Sequence, residues 1–232
     1  MKAGVVVFPG SNCDHDCFYV LNKIFNIDTV FLWHKDRNLN NVDLIVLPGG
    51  FSFGDYLRCG AIANLSPIMN SVVDFAGKGG YVLGICNGFQ ILTESGLLPG
   101  FLMMNSSLNF ICKDVYVKIM NNSLPFTKNY QKKEVTNIPI AHKDGNYYAG
   151  TSIYKSLKNN NQIIFQYCDV NGIITEDSNP NGSIGNIAGI VNIKGNVLGM
   201  MPHPERLADN VLGGREAYPL FQSIIDFLDG EV

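Results

Sequence analysis

The residues best placed to do chemistry in this chain are Cys86, His203 and Glu205. Cys86 sits in Gly84-Ile85-Cys86-Asn87-Gly88, which follows the apolar run Tyr81-Val82-Leu83 and leads into Phe89-Gln90-Ile91-Leu92-Thr93-Glu94. This is the cysteine form of a G-x-S-x-G nucleophile elbow, in which a sharp strand-to-helix turn lifts one side chain above a sheet. The flanking glycines leave room for the tight backbone and for an approaching substrate. A helix starting there adds free N–H groups and the positive end of its dipole, which favour a thiolate over a thiol. On its own the pentapeptide fits a nucleophile and a buried cysteine in a Gly-rich turn equally well.

A base and its orienter stand near the other end of the chain, in Pro202-His203-Pro204-Glu205-Arg206. Proline disfavours helix for the residue before it, so His203 is expected to be extended, with the side chains of His203 and Glu205 leaning to one side. A carboxylate beside an imidazole is what a cysteine nucleophile needs. The base takes the thiol proton, and the acid fixes the tautomer and stabilises the cation. Taken alone His-Pro-Glu reads as a surface turn; with the elbow in the same chain it reads as the rest of a triad.

The stretch Leu44-Ile45-Val46-Leu47-Pro48-Gly49-Gly50-Phe51 reads as a buried strand ending in paired glycines. Ligands in open α/β sheets sit at such carboxyl ends. A tetrahedral oxyanion needs about two donors, and losing one costs roughly 2.7–4 kcal/mol of transition-state stabilisation. The N–H groups of Asn87 and Gly50 are the candidates, with Gly49 and Phe51 beside the substrate; the alternative is that Gly49-Gly50 merely turns the chain. Beyond them, Asp55 and Arg58 either meet the ammonium and carboxylate of an amino-acid substrate or face a partner protein.

The elements that must hold these residues alternate short apolar runs with longer amphipathic stretches, the pattern of an α/β fold with an open, mostly parallel central sheet flanked by helices. Strands are expected at 3–7, 29–33, 43–47, 80–83, 115–119, 138–141, 163–167, 187–193 and 197–200, and helices at 13–25, 67–77, 87–95 and 215–228. The later half is richer in strands and turns, which predicts an antiparallel extension. One domain over residues 1–232 is expected.

Composition narrows the function classes. With 46% hydrophobic and 16% charged residues in 232, the chain can bury a large core. A net charge of -3 without a basic cluster argues against nucleic acid as the main ligand. No apolar run is long enough to span a bilayer, and Pro9-Gly10 breaks the apolar start before signal-peptide length. A cytoplasmic location is expected. The six cysteines, at 13, 17, 59, 86, 112 and 168, form no C-x-x-C pair and no zinc spacing, so reduced thiols and no metal site are expected.

Pro48-Gly49-Gly50, Gly84-Ile85-Cys86-Asn87-Gly88-Phe89-Gln90 and His203-Pro204-Glu205 resemble, in order, the three signatures of class I (triad-type) glutamine amidotransferases. Phe8-Pro9-Gly10-Ser11-Asn12-Cys13-Asp14, Gly54-Asp55-Tyr56-Leu57-Arg58, Ile138-Pro139-Ile140-Ala141-His142, Asn179-Pro180-Asn181-Gly182-Ser183 and Gly199–Arg206 resemble, more narrowly, the glutaminase subunits of phosphoribosylformylglycinamidine synthases. The resemblance runs nearly end to end. It implies a flavodoxin-like fold, attack of Cys86 on the side-chain amide of glutamine, Gln90 near the substrate, and a Gly-Gly loop that supplies an oxyanion donor. It further implies a large synthetase subunit that receives the ammonia, a small bridging subunit, and ATP with magnesium on the synthetase. Departures lie at Met104, Asn109 and Lys113, where the family usually has arginines, and at Lys143-Asp144-Gly145, where it usually has Gly-Glu-Gly.

A peptidase or chaperone of the elbow-cysteine group is expected to carry a His directly after the nucleophile, where this chain has Asn87. A catalytically silent binding module is the third class. Of the remaining residues, His142 reads as structural first, with the site or a partner surface as its alternative. Asn12 or Asp14 is expected to cap a helix, Cys13 and Cys17 to be small buried thiols, and His34 to have no role.

Overall fold

The computed structural model describes residues 1–230. Its strands are β1 (Lys2–Val7), β2 (Asp28–Trp33), β3 (Leu44–Leu47), β4 (Tyr81–Ile85), β5 (Phe101–Met103), β6 (Ile111–Ile119), β7 (Val135–His142), β8 (Asn146–Tyr148), β9 (Ile163–Cys168), β10 (Ile187–Val191) and β11 (Val197–Met200). Its α-helices are α1 (Asp14–Tyr19), α2 (Ala61–Asn64), α3 (Pro67–Gly77), α4 (Asn87–Glu94), α5 (Thr151–Asn159) and α6 (Tyr218–Leu228).

Nine strands form one sheet in the order β2-β1-β3-β4-β11-β10-β9-β6-β7, and β5 pairs with β8 in a second, two-stranded sheet. The pairings from β2 through β11 are parallel, and those from β11 to β7 are antiparallel. The open, mostly parallel core with an antiparallel extension therefore has the layout the sequence pattern predicts. Side-chain patterns follow the layers. Leu44–Leu47 and Val197–Met200 are buried at every position, as strands covered on both faces must be. In β7, buried and half-buried residues alternate, so one face packs and the other is partly open.

The parallel half has the 2-1-3-4 order of doubly wound sheets, whose ligand crevice lies at the carboxyl ends of the strands. Those ends carry Gly49-Gly50 after β3, Cys86 after β4 and His203 after β11. The register pairs Gly84 with Gly199 and Ile85 with Met200, and the Cys86 N–H donates to the Met200 carbonyl at 2.7 Å. Residues more than a hundred positions apart thus emerge side by side.

Several local expectations are corrected. The helix expected at 13–25 is α-helical only to Tyr19 and then widens into a π-turn over Val20–Ile24, with Phe25 N–H reaching the Val20 carbonyl at 3.1 Å. Periodicity does not separate these two windings. Cys13 takes the N-cap position of α1 without a side-chain cap bond, so neither Asn12 nor Asp14 caps it. The helix expected from 215 begins at Tyr218, because Pro219 belongs in a first turn. Helices α2 and α5 and strands β5 and β8 are additions to the expected elements.

Candidate active site

Cys86 is the N-cap of α4 and has φ 49° and ψ −103°, a conformation that L-residues rarely adopt and that costs on the order of 1–3 kcal/mol. The fold holds it there by three backbone bonds. Cys86 donates to Met200 as above, and its carbonyl accepts from Phe89 at 3.0 Å and Gln90 at 3.2 Å. Gly88 makes the turn possible in a second way: a Cβ there would run into the Leu47 carbonyl. The helix therefore seats directly on the end of β3. The Cys86 thiol is nearly buried and lies 3.7 Å from the Ala141 carbonyl oxygen, at the end of β7.

His203 has φ −101° and ψ 84°, non-helical as the following proline requires but short of the extended conformation expected, and its N–H donates to the Pro139 carbonyl at 2.8 Å. Its Nδ1 meets Glu205 Oε1 at 2.6 Å, and both side chains are buried. Nδ1 carries the proton in this pairing, because a carboxylate only accepts. Burial alone would lower the His203 pKa; the Glu205 carboxylate, then Cys86 and Cys13, outweigh it and hold the imidazole well above its ordinary value. The other ring nitrogen, Nε2, is buried and has no partner among the described residues.

The Gly49-Gly50 loop closes the site from β3. A Cβ on Gly49 would sit 2.7 Å from His203 Cε1, so this glycine faces the base. Gly50 is bridged to Ser11, with Phe51 N–H on the Gly10 carbonyl at 3.0 Å and Cys13 N–H on the Gly49 carbonyl at 3.2 Å. The N–H groups of Gly50 and Asn87 donate to no acceptor among the described residues. A tetrahedral oxyanion would need donors of this kind.

A tight cavity is lined by Gly50, Phe51, Asp55 and Cys59, by Cys86 and Gln90, and by the turn from Ala141 to Asp144; His203 and Asn87 are not among its lining residues. Larger surface hollows, such as the one beside Tyr154 and Leu157, do not contain Cys86. Asn87 and Gln90 brace the walls. The Asn87 amide accepts from Ser52 N–H at 3.3 Å and donates to Gln90 Oε1 at 2.8 Å, while Gln90 Nε2 donates to the Asp144 carbonyl at 2.7 Å. Burial first, with the Asp144 charge adding to it, pushes the Asp55 carboxyl up, and the Cys59 thiol donates to Asp144 Oδ2 at 3.4 Å. Phe51 stands on the rim, 43% exposed, with its ring 6.3 Å from that of Phe110.

Arg58 is mostly exposed, pairs with Glu94 at 2.5 Å and does not line the cavity that holds Asp55 and Cys86. One placement goes beyond expectation. Cys13 is more than a buried helix thiol, since its Sγ lies 4.0 Å from His203 Nδ1 and accepts from Arg206 Nη2 at 3.4 Å. Cys13, His203 and Glu205 bring their ligand atoms within 4.8 Å of one another. Arg206 places a fixed positive charge against that group and Glu205 occupies Nδ1, which disfavours a metal cation there. Cys59 and Asp144 are site residues that sequence reasoning missed; the only signal was their nearness in sequence to motif residues.

A nucleophile elbow on a doubly wound sheet, with a Glu-oriented His and free amides at the strand ends, defines a class I glutamine amidotransferase. Residues 1–215 match the model of the CobB/CobQ-like glutamine amidotransferase domain. Among relatives, phosphoribosylformylglycinamidine synthase subunit PurQ of Moorella thermoacetica is 55% identical, covering 98% of this chain and 96% of that protein. The subunit of the same name from Synechocystis is 54% identical over 95% of this chain and 98% of its own length. A solved structure of PurLQS from Thermotoga maritima contains a chain that matches with a TM-score of 0.86 and 42% identity, over 98% of both chains. The glutaminase domain of CTPS from Trypanosoma brucei, at 14% identity and a TM-score of 0.62 over 99% of this chain and 94% of that one, shares the fold. The chain belongs to the family of glutaminase subunits of phosphoribosylformylglycinamidine synthase.

Proposed function

We propose that this chain hydrolyses glutamine to glutamate and ammonia and passes the ammonia to a synthetase subunit. That subunit uses ATP to convert formylglycinamide ribonucleotide to formylglycinamidine ribonucleotide in de novo purine biosynthesis. The observation that carries the reading is the 2.6 Å contact of His203 with Glu205 beside an elbow cysteine, within a chain 55% identical to a PurQ subunit.

The chemistry follows from the placement of each group. Cys86 sulfur attacks the side-chain carbonyl carbon of glutamine, and the new oxyanion takes the N–H groups of Asn87 and Gly50. His203 gives a proton to the nitrogen as the C–N bond breaks, releasing ammonia and leaving a glutamyl thioester. Water then attacks the thioester while His203 takes its proton. Collapse of the second tetrahedral intermediate releases glutamate and restores the thiol. Glu205 holds the imidazole by Nδ1 throughout. Gly49 shapes the base side of the pocket, Gln90 braces its walls, and Phe51 guards the rim.

The partners in this reading are a large synthetase subunit and a small bridging subunit, with ATP and magnesium on the synthetase and none in this chain. The assembly is cytoplasmic. Among the described residues no helix is long and apolar enough to cross a membrane. The test is reconstitution with the synthetase and bridging subunits. Cys86→Ala is expected to abolish glutamine-dependent amidine formation and to leave ammonia-dependent formation intact. Retention of the glutamine-dependent reaction would overturn the nucleophile assignment.

A further inference from the structure

His142 ends β7 inside the fold, 3% exposed, and lines the same cavity as Cys86 and Gln90. The triad leaves it without a role. Its protonation is fixed by a neighbour, Asn105, which is fully buried. The Asn105 amide nitrogen donates to the Asn109 carbonyl at 2.8 Å and the His142 carbonyl at 2.9 Å, which sets the orientation of the amide. Its oxygen therefore faces the Gly145 N–H at 3.0 Å and His142 Nδ1 at 3.1 Å. A carbonyl oxygen only accepts, so Nδ1 must carry the proton. The remaining ring nitrogen, Nε2, then holds a lone pair. It is buried and has no partner among the described residues.

The surrounding structure locks this arrangement. Gly145 lies against the ring so closely that any Cβ there would collide with it. The Gly145 carbonyl accepts from Asn181 Nδ2 at 2.8 Å and Ser183 Oγ at 3.2 Å. This gives the Asn179–Ser183 motif a use: it clamps the turn that carries His142. Burial first, and the charge of His203 second, push the His142 pKa down to about 4, so the ring stays neutral at working pH.

We propose that His142 Nε2 accepts a hydrogen bond from the carboxamide N–H of bound glutamine, making His142 a specificity-determining residue of the glutaminase pocket. The proposal rests on the glutaminase reading above. Glutamine offers N–H groups at the bond that breaks; glutamate and its γ-esters offer none there. A buried acceptor rejects a ligand that leaves it unpaired. By holding one N–H, His142 turns the nitrogen lone pair toward His203, the acid. A neutral ring of low basicity does not compete for that proton, so ammonia leaves unprotonated.

The test compares glutamine with glutamate γ-methyl ester on the assembled enzyme. His142→Asn keeps an N–H for Asn105 and removes the Nε2 position. It is expected to lower kcat/KM for glutamine about tenfold, the worth of one hydrogen bond to a buried group, and to leave the ester no slower, or faster, because the acceptor the ester leaves unpaired is gone. His142→Gln, which returns a polar group to that position, is expected to recover part of the loss. An equal fall for both substrates, or no fall for either, overturns the proposal. Hydrolysis of neither substrate by the unaltered enzyme would instead overturn the glutaminase reading. In the unaltered protein, long-range proton–nitrogen spectra should show His142 Nε2 unprotonated between about pH 5 and 8; a proton on Nε2 there overturns the proposal without any variant.

Discussion

Cys13 Sγ lies 4.0 Å from the His203 nitrogen that also holds Glu205 Oε1 at 2.6 Å. The chain therefore has two buried thiols beside one imidazole, and only their positions tell them apart. Cys86 stands on a strained elbow in the substrate cavity, whereas Cys13 is held behind the ring by Arg206 and outside that cavity. A glutamine-like diazo-ketone is expected to label Cys86 alone, read by mass spectrometry of the peptides. Cys13→Ala should keep glutamine hydrolysis within about tenfold, while Cys86→Ala removes it. Label on Cys13 would reverse the assignment.

Glu205→Gln keeps the size of the side chain and removes its charge. Loss of the orienting carboxylate is expected to lower glutamine hydrolysis by roughly 10²–10⁴-fold. The sign of the accompanying pH effect is fixed. Burial lowers the His203 pKa and Glu205 is the largest influence raising it, so the variant's imidazole loses its proton at lower pH. The alkaline limb of kcat/KM should shift to lower pH. An unmoved limb with a normal rate would show that Glu205 does not govern the base.

Gly49→Ala tests how tightly the base is held. The added methyl would sit 2.7 Å from His203 Cε1 and 3.3 Å from both His203 Nδ1 and Cys13 Sγ. The imidazole must give way, and misplacement of a catalytic group by about 1 Å costs on the order of 10²-fold. Because Gly49 faces the base rather than the amide, the loss should fall on kcat with KM nearly unchanged. Steady-state kinetics on the folded variant checks the split.

What could be read from the sequence was local. The elbow is a strand, a turn and a helix in consecutive residues, and Pro204 fixes the backbone of His203 without help from the fold. Helix α3 carries its own start signal in Pro67, and its bounds come out as expected. The contacts that were missed are set by packing. Cys13 reaches His203 across 190 positions because the start of α1 and the turn after β11 meet at the carboxyl ends of the parallel strands. Strands β5 and β8, three residues each, are too short to show a period and exist because they pair with one another. The Asn105–His142 clamp joins a loop to the end of β7 across segments whose sequences carry no common pattern, so only the folded chain reveals it.

The buried, neutral His142 also makes stability depend on pH. Its pKa is about 4 in the folded protein and about 6.5 in an unfolded chain. Between these values the unfolded state binds more protons, so stability rises with pH across that window and is lost as pH falls through it. From pH 7 to pH 5 the loss from this one group is about 2 kcal/mol, from roughly 1.4 kcal/mol per pH unit below the unfolded value. His203 acts in the opposite sense, since its raised pKa favours the folded state most at low pH and loses that favour as pH rises through the folded value. The two are separated by comparing urea unfolding of the unaltered chain with His142→Asn, which does not titrate. The variant's stability should fall less between pH 7 and pH 5, by about 2 kcal/mol; parallel curves would mean that His142 is protonated in the folded state at pH 5.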